Sequence, residues 1–337
     1  MILLLQVQIN ENSSVPLALR SYLEFLLSLD ESHRSCILRP GGWVRDKVGL
    51  FDDATNPAFI ERQAMFAGSR IQEFEMPVPS DFFRSAGKFF PPHTAIDIRA
   101  QLVSDMFLLL TPPTQGTDYK LDLMDLKLSV RFVTVNETIA TNHQRLLDTR
   151  PFIFNYIENK TKAHQIAKGS LTMNVAHLYM NILPKSFFFF FVDSDALSDG
   201  VGAVDLNPFN FQPHGLRSVV VRKNGVIQSS DHSLDFPDAT SYARAYIGLQ
   251  RACGFLDSAT SNNLGFEEYS LNSFVVGFDL TAGLVNFKNL TPSEMGDISI
   301  DLTFRTKTTK ALTCVFYASY QSILQLDKER TITHRVF

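Results

Sequence analysis

From 297 to 305 the chain alternates without a break. Ile298, Ile300, Leu302 and Phe304 fall in one phase, Ser299, Asp301, Thr303 and Arg305 in the other. A repeat of two is the repeat of a half-buried β-strand, whose successive side chains point to opposite faces. After a polar turn at 307–310, Leu312, Cys314, Phe316, Ala318 and Tyr320 alternate back. The same pattern predicts strands at 170–175, 186–192, 217–222, 226–228, 270–280 and 322–327. Asn224-Gly225 lies between two of these. Asn-Gly favours a two-residue type I′ hairpin, since both central residues need positive φ. In the first half, 95–103 puts Ile96, Ile98, Ala100 and Leu102 on one face. The stretch 121–132 also alternates, but its phase slips at Met124, as a β-bulge would make it.

Helical spacing interrupts the strands. Over 15–29, Leu19, Tyr22, Leu23, Leu26 and Leu27 recur at helical intervals, with Pro16 suited to a first turn. At 56–67, Asn56 reads as N-cap, Pro57 as first residue and Gly68 as stop. The window 239–253 carries Tyr242, Ala245, Tyr246, Leu249 and Cys253 on one side and ends at Gly254. Between 136 and 168 the alternation is lost, which predicts a connector with a short helix near 139–147. Short strands at this density, without βαβ alternation, predict a sandwich or barrel of jelly-roll kind.

Composition sharpens this picture. The 337 residues are enough for about two domains. An apolar share of 45% with 17 Gly and 15 Pro excludes a disordered chain, a coiled coil and a collagen-like rod. Twenty-nine Phe stand against a single Trp. Phe187 to Phe191 are consecutive, so their rings point to both faces of one strand, and that strand must be covered on both sides. The net charge of −4 leaves no electrostatic footprint for nucleic acid. Cys36, Cys253 and Cys314 are too few and too far apart for a disulfide framework or a thiolate zinc site. The opening MILLLQVQINENSS has no basic n-region and no cleavage site, so it reads as a strand end, and an intracellular, non-secreted chain is expected. The sequons at Asn12, Asn136, Asn159 and Asn289 then read as chance matches.

Motifs for chemistry are missing. Asp193-Ser194-Asp195 with Asp199-Gly200 departs from an EF-hand loop, since Leu197 falls on a ligand position. The eight His form no metal-ligand spacing, and His177 reads as a surface or satisfied core residue. No nucleophile elbow, Walker loop or dinucleotide fingerprint occurs. Gly41-Gly42 lies in a loop before Trp43 rather than between a strand and a helix. These readings predict no enzyme, no cofactor and no metal.

One stretch is distinctive. Residues 192–228 run from an apolar strand through an acidic turn to Asn207-Pro208-Phe209-Asn210-Phe211, then a strand and the Asn224-Gly225 hairpin. Tyr242, Tyr246 and Leu249 follow, then Val276-Gly277-Phe278-Asp279-Leu280-Thr281, and the 298–304, 315–318 and 323–330 segments close the set. This ordered set resembles the double jelly-roll major capsid (hexon) proteins of Maverick/Polinton-type elements and adinto-like viruses. The resemblance covers about 165–330 and continues in weaker order over 15–135. It implies an all-β double jelly roll, two antiparallel sandwiches side by side with a few short inserted helices. The first would span 1–148 and the second 149–337, with the helix near 239–253 inserted. It further implies a structural protein: a homotrimeric, pseudo-hexagonal capsomer in an icosahedral lattice, or a genome-integrated remnant of one. Its partners would be itself and a penton-type minor capsid protein, in a virion or inside the host cell. Family members carry a longer N-terminal region, so a shortened first barrel is expected. Asn207, Pro208, Phe209, Asn210, Phe211, Asn224, Gly225 and Asp279 would be structural motif residues. The rival reading is a two-domain jelly-roll module that binds or cleaves glycans, which needs convergent carboxylates and exposed aromatics.

Overall fold

The computed structural model describes residues 17–77, 80–81, 83, 89–91, 94, 105–111, 119–197, 203–238, 240–281, 292 and 294–336. The second half is a two-sheet sandwich. Its strands are β1 (Phe152–Ile166), β2 (Thr172–Ile182), β3 (Ser186–Asp193), β4 (Leu216–Lys223), β5 (Ser233–Asp235), β6 (Val276–Asp279), β7 (Met295–Phe304), β8 (Leu312–Leu326) and β9 (Ile332–Val336). One sheet runs β1-β8-β3-β6, with β9 added on β8, and the other runs β2-β7-β4-β5. Every pairing in both sheets is antiparallel. The partners β1·β8, β2·β7, β3·β6 and β4·β5 nest inside one another, as in a long hairpin rolled up on itself. The rolled hairpin closes through β3·β8 and β4·β7. This wiring defines the eight-stranded jelly roll. The fold is antiparallel β-sheet with short helices inserted between strands, as expected.

The phenylalanine run sits where its pattern requires. All five rings, Phe187 to Phe191, are at most 4% exposed. Phe187, Phe189 and Phe191 face between the sheets. There Phe187 meets Tyr179 of β2 at 5.8 Å and Phe191 meets Phe304 of β7 at 5.6 Å. Phe188 and Phe190 point out of the sandwich and are covered by the same chain. Helix α1 (Leu17–Ser28), the Phe209–Phe211 turn and a helix at Ala243–Ala252 lie over them. Gly277 makes room for this cover: a Cβ there would stand 2.9 Å from the Phe188 ring and 3.1 Å from Ala252.

Several sequence expectations change. Residues 136–168 were expected to be a connector with a short helix near 139–147; the helix is present as α3 (Glu137–Thr149, following α2 at Pro57–Phe66), but it is followed at once by the 15-residue β1 rather than by connector. The outer half of β1 is polar in sequence because lysine stems take the place of apolar side chains. Lys160 Nζ lies 5.3 Å over the Tyr320 ring, and Lys162 Nζ lies 5.0 Å over Tyr179. The segments 312–320 and 322–327 are one strand, since Ser322, Leu324 and Leu326 continue the even phase past Gln321. The span 270–280 is divided. Its start belongs to a helix, Phe266–Asn272, and only Val276–Asp279 pairs in the sheet. Residues 226–228 form no strand: Val226 makes a single bridge to Lys223 and the chain then leaves the sheet. The 239–253 helix begins later, at Ala243, because Asp238 binds the backbone N–H and hydroxyl of Thr240 and holds a turn ahead of it.

Among the described residues, the first 148 contain helices and no ladder-paired strand. The strand expected at 95–103 lies outside the described residues, as do residues 1–9. Residues 121–132 have no ladder partner among the described residues, although a strand was expected there.

Candidate functional site

The motif residues act as a clamp. Asn207 to Asn210 form a turn with Pro208 at its second position, closed by Asn210 N–H donating to Asn207 O at 3.1 Å. Asn207 Oδ1 accepts from Phe209 N–H at 3.0 Å, the local bond that suits Asn to turn entry. The rest of each side chain reaches into the N-terminal half. Asn207 Nδ2 donates to Phe51 O at 2.9 Å, Asn207 N–H reaches Asp52 Oδ1 at 3.3 Å, and Asn210 Nδ2 donates to Asp52 Oδ2. Asn272 then donates to Asn210 Oδ1 at 2.8 Å and accepts from Gly49 N–H at 2.6 Å. Burial pushes the Asp52 carboxyl above its usual range, and the bonds from Asn210 and Asn207 pull it back.

The two motif rings complete the clamp. Phe211 lies 4.3 Å from Phe190, on the outward face of β3. Phe209 lies 4.5 Å from Tyr22 of α1, and Tyr22 stacks on Trp43 at 5.7 Å. Aromatic pairs in this range add about 0.5–1.5 kcal/mol each beyond area burial. The segment 207–211 therefore bonds the N-terminal helices to the outer face of the jelly roll.

The other motif residues stand apart from it. Asn224 and Gly225 have φ of 53° and 79°, the left-handed pair that a type I′ turn requires. The turn is fastened to β7: Asn224 N–H donates to Asp297 O at 2.8 Å, and Asp297 N–H donates to Asn224 Oδ1 at 2.9 Å. A Cβ on Gly296 would fall 2.7 Å from Asn224 Oδ1, so only glycine leaves room for the clasp. Asp279 ends β6, accepting from Thr281 N–H at 2.9 Å and from its hydroxyl at 2.7 Å. The eight residues thus occupy three places, each a local fastening, and do not converge on a reacting point.

Two further links between the halves were not legible in the sequence. Arg20 and Glu24 of α1, both under 8% exposed, pair at 2.9 Å. Arg20 also pairs with Asp81. Asp81 accepts from the Asn159 backbone and side chain, each at 2.8 Å, and Ser319 donates to Asn159 Oδ1 at 2.6 Å. Arg34 is 2% exposed; it donates to the Asn262 carbonyl at 2.7 Å and lies 5.8 Å over the Trp43 ring. The i,i+4 spacing of Arg20 and Glu24 was the only sequence signal, and on most helices it marks a solvated face.

A 250 Å³ cleft opens between the Ala243–Ala252 helix and the loop before β5. Its charges are already matched: Arg251 pairs with Asp231, and Arg244 lies 4.0 Å from the same carboxylate. His232 lines it, and burial lowers its pKa. Among the described residues no group of three His, Cys, Asp or Glu side chains could hold a metal ion, and no helix is long and apolar enough to cross a membrane. The 193–200 stretch begins with a helical turn at Ser194–Leu197, where Asp193 binds Lys310 Nζ at 2.8 Å.

No protein-family model matches the chain, and no curated protein matches it. Solved structures similar to it include viral ones. The cryo-EM structure of the Sputnik virophage aligns with 12% identity and a TM-score of 0.36, over 56% of this chain and 39% of that one. The mavirus major capsid protein aligns with 9% identity and a TM-score of 0.33, over 56% and 42%. PBCV-1 VP54, fitted into a reconstruction of Sputnik, aligns with 10% identity and a TM-score of 0.37, over 60% and 54%. The matched region spans roughly half or less of those chains' length.

Proposed function

We propose that this chain is a structural capsid protein rather than an enzyme. In this reading it is a subunit of a trimeric, pseudo-hexagonal capsomer of the Maverick/Polinton kind, present in a virion or as a genome-integrated copy. Residues 149–337 are the second jelly roll and residues 1–148 belong to the first. Its partners are further copies of itself in the lattice and a penton-type minor capsid protein.

The nested strand order supports the reading most directly, because it makes the 152–326 region a closed jelly roll. The Asn207–Phe211 segment adds to it, since the residues that carry the family resemblance are the ones that bind a second body to the outer sheet face. The glycan-module reading would use that face or exposed aromatics. Here the face is covered, and the single Trp stacks on Tyr22.

The decisive experiment is mass by light scattering on the purified full chain, with negative-stain images of the same sample. A trimer or larger assembly with a pseudo-hexagonal outline is the expected result. A monodisperse monomer that stays monomeric at high concentration and binds glycans would overturn it.

A further inference from the structure

Residues 121–135 read Leu-Asp-Leu-Met-Asp-Leu-Lys-Leu-Ser-Val-Arg-Phe-Val-Thr-Val. Eight of their nine apolar side chains are between 41% and 90% exposed, with Phe132 the most exposed. From Asp122 to Val135 the backbone makes no hydrogen bond to any described residue. Fourteen such residues in a row, strand-like in pattern and lined with apolar side chains, form an edge that no described residue pairs and that suits another strand.

The binary pattern of this segment reads the same in both directions about Leu128. The apolar doublet Leu123-Met124 mirrors Phe132-Val133, and Leu121 mirrors Val135. In an antiparallel pair, residues directly opposite lie on the same face. Pairing the segment with itself around Leu128 therefore sets Leu126 against Val130, Met124 against Phe132, Leu123 against Val133 and Leu121 against Val135. The polar positions also match: Asp125 meets Arg131 twice, Lys127 meets Ser129, and Asp122 meets Thr134. Arg131 has no ion-pair partner among the described residues, while Asp125 is held only by its neighbour Lys127 at 2.7 Å. Moving the centre by two residues, to Leu126, sets Asp122 against Val130 and Lys120 against Phe132. The Leu128 register is favoured by both charge and burial.

We propose that 121–135 is an intermolecular strand that pairs antiparallel with the same segment of a second copy of this chain, with the two-fold axis at Leu128. The contact is isologous, so each copy contributes the same surface. It stands independently of the capsid reading, because it needs only two copies and no particular lattice.

Cross-linking of the full chain tests the register, with Cys36→Ser removing the exposed native thiol. On the axis, two Leu128→Cys residues would have Cα atoms about 4.5–5.5 Å apart, within disulfide reach. Two Leu126→Cys residues would sit about 14 Å apart, four residues out of step at about 3.3 Å each, and could not bridge. Mild oxidation should therefore give at least ten-fold more covalent dimer from Leu128→Cys than from Leu126→Cys. Asp125→Arg and Arg131→Asp should each weaken dimerisation about ten-fold, and the double swap should restore it. Both side chains are exposed and neither forms an ion pair with the sandwich among the described residues, so thermal unfolding should be unchanged and confirms that each variant folds. Equal cross-linking at 126 and 128, or a double swap as weak as either single change, would overturn the proposal. A monomer whose 121–135 amides are protected from hydrogen exchange would also overturn it, by placing the occupant within the same chain.

Discussion

β7 and the 121–135 segment carry nearly the same pattern and meet opposite fates. In β7, Ile298, Ile300, Leu302 and Phe304 are all at most 2% exposed, with β2 on one edge and β4 on the other. In the earlier segment, Leu126, Leu128, Val130 and Phe132 are 45–90% exposed, and no ladder forms among the described residues. Alternation selects which side chains share a face. It does not supply the partner that satisfies backbone N–H and C=O groups, nor the opposing sheet that covers the face. β7 has both because three other segments, distant in sequence, return to it.

The largest test of this contrast truncates one apolar side chain in each region. Phe189→Ala, at a ring with no exposure, should lower unfolding free energy by about 3–5 kcal/mol. Phe132→Ala should change it by less than about 0.5 kcal/mol. Urea denaturation followed by far-UV circular dichroism measures both. Comparable losses would mean that Phe132 is covered in the folded chain.

The next test separates the α1 cover from the sandwich beneath it. Arg20→Met leaves Glu24 and Asp81 buried without their cation, and removing one member of such a network costs about 3–5 kcal/mol. The expected outcome is loss of cooperative unfolding between α1 and the sheet, with hydrogen exchange rising first in 17–28. A fully cooperative, undiminished transition would show that Tyr22 and the leucines hold α1 without the network.

Smaller still is the clasp that fixes β7 in register. Gly296→Ala pushes a methyl into Asn224 Oδ1, and Asn224→Ala removes that acceptor at a left-handed position. Each should cost about 1–2 kcal/mol, and the double variant should cost little more than either, since both break one contact. Additive losses would mean that the two act separately.

The smallest effect is a pH slope. His214, packed edge-on to Phe191 at 6.3 Å, has its pKa lowered by burial to about 4. The unfolded chain takes up this proton near 6.5, before the folded chain does. Its contribution to stability is therefore whole above pH 6.5 and is lost as pH falls through about 4. His214→Asn tolerates the positive φ of 45° and should flatten that part of the curve. Denaturation midpoints compared at pH 7 and pH 4.5 check this.

Local physics was legible in the residues. The Phe run demanded cover on both faces, Asn56 and Pro57 began a helix, Asn224-Gly225 made a left-handed turn, and the period of two placed β7 and β8. Each depends on side chains within a few positions of one another, so the chain states it directly. The motif at 207–211 was also visible as a resemblance, but its bonds to Phe51, Asp52 and Tyr22 join residues some 155 to 190 positions apart, and no local pattern encodes them. β1 stayed hidden for the same reason. The apolar alternation fails at Lys160 and Lys162, which pack over Tyr320 and Tyr179, rings far away along the chain. Pattern alone determined faces, turns and caps in this protein. Which strand pairs with which and what covers the outer sheet were decided only when distant segments met, because a buried backbone group or an aromatic face is satisfied by proximity in space and not by its neighbours along the chain.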